Sequence, residues 1–349
     1  MMVGLILKYL LLLSALLASL TLAALPAGSR LYPLPDGALH VRLLQPDRLK
    51  NQNVDTAIVL IAGPNQNFHA DSAWFALLQP LLAQQYRTYA VDRQSSGFSS
   101  DTARPSYRKF ATDLAKVLPQ LQAKKFLLVS FASSSITARL LADDPAVATW
   151  LAGLVLIDPD VPTPAAQALY NGYPADWYRA NLDALLPKLA RGAWNERTAQ
   201  KLSAELAHLQ QIVPAQLQPQ TDWDYVQQVF ATRQSMPRQQ ARAIEIAEYQ
   251  ADLALYNQSP WLYSRLPVSV IDGDFEAPLI AAATEDKAQL QRWRQDGLDW
   301  GKSLADNSGG RYLTLADTEH LLMFSAGPAL AEFIGQLLAN PAATKTAAR

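Results

Sequence analysis

One stretch near the middle of the chain has the residue types and spacing of a nucleophile turn. Phe126–Val129 is apolar throughout, as in a parallel strand that is buried on both faces. Five of the six positions 130–135 then hold serine or alanine, and residues 136–142 have the pattern of a helix. A serine in a tight turn between a strand and a helix can attack a carbonyl when a histidine removes its proton and a carboxylate orients that histidine.

Composition excludes several other chemistries. The 30 basic and 31 acidic residues nearly balance, so charge gives no reason to expect nucleic acid or an anionic membrane surface as a partner. Because cysteine is absent, thiolate catalysis, cysteine-bound metals and disulfides are excluded. The four histidines, at positions 40, 69, 208 and 320, form no pair with metal-ligand spacing. We therefore predict no metal and no other cofactor.

The N-terminus has the pattern of an export segment. Lys8 precedes seventeen uncharged residues, Tyr9–Leu25, and small residues follow. A cation, an apolar core and small residues at its end predict a secretory signal peptide over residues 1–28. Because the core is close to the shortest length that spans a bilayer, an uncleaved membrane anchor is the alternative. We expect a periplasmic, secreted or membrane-anchored protein that meets the membrane only through this segment.

The elements that must position any site alternate between strand and helix. Strands are predicted at Leu31–Pro46 (one or two), Ala57–Ala62, Arg87–Val91, Phe126–Val129, Leu154–Ile157, Pro267–Ile271 and Arg311–Leu315. Short connections between them predict a mostly parallel sheet flanked by helices. Residues 162–263 contain no strand pattern and several helical patterns broken by proline, so they predict a helical lid inserted after the sixth strand. The core is then 29–161 and 264–338, with a flexible tail at 339–349.

Three segments in this order resemble the α/β-hydrolase superfamily, in particular its lidded esterase and proline-iminopeptidase-like branch. Asp92-Arg93-x-x-x-Gly97-x-Ser99 follows a strand, the turn and helix at Ala132–Ala142 come next, and His320-Leu-Leu-Met-Phe precedes the last helix. The resemblance covers about residues 31–338. It implies the α/β-hydrolase fold and a triad in the chain order nucleophile, acid, histidine.

The resemblance also suggests the base and the acid. His320 lies in the loop between the last strand and the last helix, where the family has its histidine. Glu276, in the segment Gly273-Asp274-Phe275-Glu276, corresponds to the acid that orients that histidine. Asp274 and Asp272 are close enough to be alternatives.

The nucleophile position does not hold a serine. Alignment with the family turn places Ala132 at its apex, and a shift of one residue would place Ser133 there instead. Residues two positions before and after the apex must be small, because the backbones approach closely. Ser130 and Ser134 meet this requirement around Ala132, whereas Phe131 would clash if Ser133 were central. We therefore expect Ala132 at the apex, where its methyl group cannot attack a carbonyl.

The resemblance implies two backbone N–H donors for an oxyanion. Ser133, which follows the apex, can supply one of them whatever its side chain. Ile61-Ala62-Gly63-Pro64-Asn65 replaces the family's His-Gly or His-Gly-Gly-Pro loop. In one register Gly63 supplies the second donor, and in the other the position is Pro64, which has no N–H.

Three functions remain open. The first is an exported α/β-hydrolase-fold protein that lacks the serine mechanism and binds a small-molecule or peptide ligand under the lid, with at most weak or atypical hydrolysis. The second is an active esterase or peptidase that uses Ser133, or Ser130 or Ser134, with His320 and Glu276. The third is an envelope module that binds a partner protein through tryptophans of its lid.

Overall fold

The central sheet has eight strands. The computed structural model describes residues 25–64, 69–170, 172, 174–258, 266–316 and 318–339. The strands are β1 (Ser29–Leu34), β2 (Gly37–Leu44), β3 (Val54–Ala62), β4 (Thr88–Asp92), β5 (Ala123–Phe131), β6 (Leu151–Ile157), β7 (Val268–Asp272) and β8 (Tyr312–Thr314). Their order across the sheet is β1-β2-β4-β3-β5-β6-β7-β8. β1 and β2 pair in antiparallel fashion, β2 is also antiparallel to β4, and every pairing from β4 to β8 is parallel.

Helices flank this sheet. They are α1 (Leu78–Ala83), α2 (Tyr107–Val117), α3 (Ser134–Asp143), α4 (Pro145–Ala148), α5 (Pro164–Tyr170), α6 (Ala175–Ala190), α7 (Asn195–Ile212), α8 (Trp223–Thr232), α9 (Met236–Gln258), α10 (Glu276–Ala282), α11 (Lys287–Ser308), α12 (Leu322–Ser325) and α13 (Gly327–Ala339). Some of these helices have a side-chain cap at the N-terminus. At the start of α2, for example, the hydroxyl of Ser106 accepts a hydrogen bond from the N–H of Lys109. Short 3-10 turns occur at Asp47–Leu49, Ser72–Phe75, Leu118–Gln120 and Ala215–Gln220.

Both faces of the sheet are buried, which accounts for the unbroken apolar runs of its central strands. Along β3, Ile58 and Leu60 belong to the hydrophobic cluster on one face, and Val59 and Ile61 belong to the cluster on the other. A strand covered on both faces needs apolar residues at successive positions rather than at alternate ones. The predicted architecture is confirmed, with a mostly parallel sheet that is covered on both faces.

Five helices, α5 to α9, occupy the interval between β6 and β7 where the sequence predicts a helical insertion. Polar contacts connect them to the core. Asp222, at the start of α8, forms an ion pair with Arg42 of β2, and its N–H donates to the carbonyl of Ala76 (3.0 Å). Within the described ranges, no helix is both long and apolar enough to span a bilayer. Residues 1–24 of the predicted export or anchor segment (1–28) lie outside those ranges, as do residues 340–349 of the predicted tail.

Candidate active site

The turn after β5 has the strained backbone that the sequence predicts for a nucleophile position. Ala132 has a φ of 51°, a left-handed conformation that residues with a side chain rarely adopt. Its N–H donates to the carbonyl of Ile157 (2.9 Å), and its carbonyl accepts from the N–H of Ser135 (3.0 Å). These bonds at the end of β5 and the start of α3 hold Ala132 at the apex of the turn.

A cavity of about 270 Å³ lies at the carboxyl ends of the parallel strands, beside this apex. Ala132 and His320 both line it, and helix α11 supplies Trp293, Arg294 and Trp300 to its wall. Ligand sites of open α/β sheets lie at this edge. Of the residues that the structure describes, none that lines the cavity belongs to α5–α9. The cavity therefore lies against α11, and its lining residue Asp160 accepts hydrogen bonds from Tyr249 and Tyr256 of α9.

His320 is paired with an aspartate that sequence reasoning missed. The Nδ1 atom of His320 lies 3.2 Å from Oδ2 of Asp158, the residue that follows β6. The backbone N–H of Gly273 donates to the other oxygen of this carboxylate (2.6 Å). The His320 ring also packs between Phe131 and Phe275, with ring centroids 4.8 Å and 4.3 Å away. A histidine fixed by a carboxylate and by packing has the arrangement of a general base.

The surroundings of Asp158 shift the pKa of its carboxyl. Its side chain is buried, and burial raises the pKa of this carboxyl above its ordinary value. The hydrogen bonds from His320 and from the Gly273 N–H act in the opposite direction. Asp158 also has a φ of 42°, a conformation that aspartate tolerates better than most residues.

The expected acid, Glu276, does not contact His320, so this prediction is corrected. Glu276 begins α10 and faces Arg294, with Oε2 3.7 Å from the guanidinium. Asp272 makes two hydrogen bonds to Arg294 (2.5 and 2.7 Å), and Asp274 makes one (3.0 Å). All three predicted candidates after β7 are thus directed to Arg294. The family spacing favoured the end of β7, whereas the carboxylate beside His320 follows the adjacent strand β6.

Burial strongly affects Glu276. Only 8% of the residue is exposed, and burial raises the pKa of its carboxyl to about 7. The positive charge of Arg294 lowers this pKa, and the negative charges of Asp158 and Asp272 raise it. Near neutral pH, Glu276 therefore exists in both protonated and ionised forms.

None of the four serines at positions 130–135 lines this cavity. The hydroxyl of Ser133 lies 2.6 Å from the hydroxyl of Tyr107, a fully buried side chain of α2. The hydroxyl of Ser134 donates to backbone carbonyls at 2.7 and 3.0 Å. Ser130 is buried within β5. Of the described residues 130–135, Ala132 alone lines the cavity, and His320 lines it as well.

The predicted oxyanion donor Gly63 is also corrected. Its N–H extends the pairing of β3 with β5 by donating to the carbonyl of Phe131 (2.7 Å), and is therefore not available to a ligand. A Cβ atom at position 63 would lie 2.6 Å from both that carbonyl oxygen and the backbone nitrogen of Ser133, so only glycine fits. Pro64, which does line the cavity, has no N–H. Ser133, at the N-terminus of α3, keeps an N–H that the helix does not use.

Comparison with known proteins identifies relatives of this fold. The sequence profile described as "Alpha/beta hydrolase family" matches residues 58–333. No curated protein matches the chain. Among solved structures, an epoxide hydrolase from Vigna radiata is 14% identical, covering 89% of this chain and 98% of its own, with a TM-score of 0.60. An esterase from Thermogutta terrifontis is 15% identical, covering 90% and 99%, with a TM-score of 0.55. A hydrolase from Pseudomonas aeruginosa is 16% identical, covering 90% and 99%, with a TM-score of 0.52. At these identities, the similarity concerns the fold.

Proposed function

The chain belongs to the alpha/beta hydrolase family, and we propose that it is a member that binds a small ligand at the Ala132–His320 cavity without forming a covalent intermediate. The observation that carries this proposal is the position of Ala132. It occupies the strained apex at a φ of 51° and lines the same cavity as His320. The atom that this apex presents to a ligand belongs to a methyl group, which is not a nucleophile.

His320 and Asp158 keep a proton-transfer function in this proposal. An imidazole held by a carboxylate can accept a proton from a bound ligand or from a water molecule. In serine hydrolases that lose a triad member, about 10³–10⁴-fold catalysis over water remains. Loss of one oxyanion donor costs about a further 10²–10³-fold. With Ala132 at the apex and the Gly63 N–H engaged by Phe131, hydrolysis is expected to be weak or atypical.

The alternative of an active serine hydrolase would require Ser133 to reach His320. Two contacts oppose it: the Ser133 hydroxyl is hydrogen-bonded to Tyr107, and the predicted partner Glu276 faces Arg294.

The cellular location of the protein is a further part of the proposal. We infer export, with the N-terminal segment either cleaved or kept as an anchor, from Lys8 and the uncharged stretch after it.

Labelling with a fluorophosphonate tests the proposal, because this probe forms a stable bond with an activated serine. The wild-type chain should not be labelled, whereas Ala132→Ser should be labelled at position 132. Adding His320→Ala to that variant should abolish the labelling, which shows that the dyad activates the introduced hydroxyl. Labelling of the wild type at Ser133 that disappears in His320→Ala would overturn the proposal. Ser133→Ala serves as the matched control in that case.

A further inference from the structure

We propose that the cavity beside His320 takes a small organic cation, that is, a ligand with a quaternary ammonium or protonated amine group. The inference rests on the proposed function only in assigning the ligand to the same cavity. Four carboxylates line this cavity: Asp158, Asp160, Asp272 and Glu276. Arg294 is the one arginine or lysine among its described lining residues. The acidic side chains thus outnumber the permanent positive charges.

The contacts of these groups leave negative charge uncompensated. Arg294 donates its hydrogen bonds to Asp272 and Asp274, and its guanidinium lies 3.7 Å from Oε2 of Glu276. The Oε2 atom of Glu276 is buried, and no described residue gives it a hydrogen bond. Asp160 accepts a hydrogen bond from the hydroxyl of Tyr249 (2.5 Å), which carries no charge. A cation in the cavity would interact with Glu276 and Asp160 together.

Aromatic side chains form much of the remaining wall. Phe275, Trp293, Trp300 and Tyr312 all line the cavity. The face of an aromatic ring attracts a cation within about 6 Å, and tryptophan does so most strongly. Aromatic rings combined with carboxylates are the chemistry by which proteins recognise ammonium groups. An anionic ligand, by contrast, would meet four carboxylates here.

The volume favours a small ligand over a peptide. At about 270 Å³ the cavity is near the lower end of the range for small-molecule sites, which is about 300–1,000 Å³. A compact ammonium compound fits this space, whereas an extended peptide would project out of it.

The affinity of this cavity for a cation should depend on pH. Burial raises the pKa of Glu276 to about 7 and that of Asp160 to about 6. A bound cation favours the ionised forms, so affinity should rise as the pH increases from 5 to 8. The other titratable or charged groups that line this cavity with Glu276 and Asp160 are Arg294 of α11, Asp272 at the end of β7, Asp158 after β6, Tyr312 of β8 and His320. Asp274, two residues after β7, pairs with Arg294.

Isothermal titration calorimetry of the purified full chain with choline tests the inference. The control ligand is 3,3-dimethyl-1-butanol, a neutral molecule of nearly the same shape. At pH 8 and constant ionic strength, choline should bind at least tenfold more tightly than the alcohol. At pH 5.5 the affinity for choline should fall at least tenfold, while that for the alcohol stays constant.

Substitutions of the carboxylates that line the cavity test which of them bind the cation. Glu276→Gln and Asp160→Asn should each weaken choline binding several-fold and should affect the binding of the alcohol far less. Glu285→Gln removes an equal charge from an exposed position near α10 and should change neither. Equal affinities for the two ligands, no binding of choline, or unchanged binding in both cavity variants would overturn the inference. The fluorophosphonate experiment reports on the nucleophile alone, so failure here is distinguishable from failure of the proposed function.

Discussion

Replacing Glu276 with glutamine should change how the stability of the protein depends on pH. The carboxyl of Glu276 has a pKa of about 7 in the folded protein and an ordinary value of 4.5. Because the folded-state pKa is raised, the stability that protonated Glu276 contributes is fully present below about pH 4.5. It is lost as the pH rises through about 7. The difference between these pKa values corresponds to about 3 kcal/mol as an upper limit.

Glutamine has nearly the same shape and no charge to bury. The free energy of unfolding of Glu276→Gln, relative to wild type, should therefore increase by up to about 3 kcal/mol between pH 4.5 and pH 8. Urea unfolding of both proteins across this range measures the difference. Other groups that titrate, such as Asp160 and Asp252, are present in both proteins, so most of their contribution cancels.

The control is Glu285→Gln, which removes an exposed carboxylate and should show no such trend. A stability difference between Glu276→Gln and wild type that is constant over this pH range would refute the reasoning. It would mean that Glu276 ionises as an ordinary surface carboxylate, and the electrostatic picture of the cavity would have to change with it.

Two further substitutions test the geometry of the site. In the Ala132→Ser background, Asp158→Asn should slow fluorophosphonate labelling by about 10³–10⁴-fold, because Asp158 is the carboxylate beside His320. Glu276→Gln should slow it far less. Equal effects of the two substitutions would contradict the assignment of Asp158 as the partner of His320. Gly63→Ala should destabilise the protein by about 3 kcal/mol or more in urea unfolding, since its Cβ would lie 2.6 Å from the Phe131 carbonyl oxygen. An alanine variant as stable as wild type would show that the β3–β5 contact is looser than described.

Much of the fold could be predicted from local patterns. Apolar runs such as Ala57–Ala62 and Leu154–Ile157 lie within observed strands, because a strand covered on both faces imposes its pattern on consecutive residues. The small residues that flank Ala132 indicated which position forms the apex, and the positive φ lies at that residue. Both properties depend on neighbours in sequence.

The missed features depend on contacts between distant segments. Asp158 and His320 are 162 residues apart and meet only because β6 and the loop after β8 reach the same edge of the sheet. Asp158-Pro159 marks the end of a predicted strand, but nothing local distinguishes this aspartate from Asp272 or Glu276. The engagement of the Gly63 N–H likewise follows from the register between β3 and β5, which the sequence of either strand alone does not specify.

The most direct test of the central claim is whether a covalent acyl-enzyme forms. Mass spectrometry of the intact protein, after rapid acid quenching of its reaction with p-nitrophenyl acetate, detects an acetyl group bound to the chain. We expect no His320-dependent acetylation of the wild type, and acetylation at position 132 in Ala132→Ser. Acetylated wild-type protein carrying the group on Ser133, and lost in His320→Ala, would contradict the account.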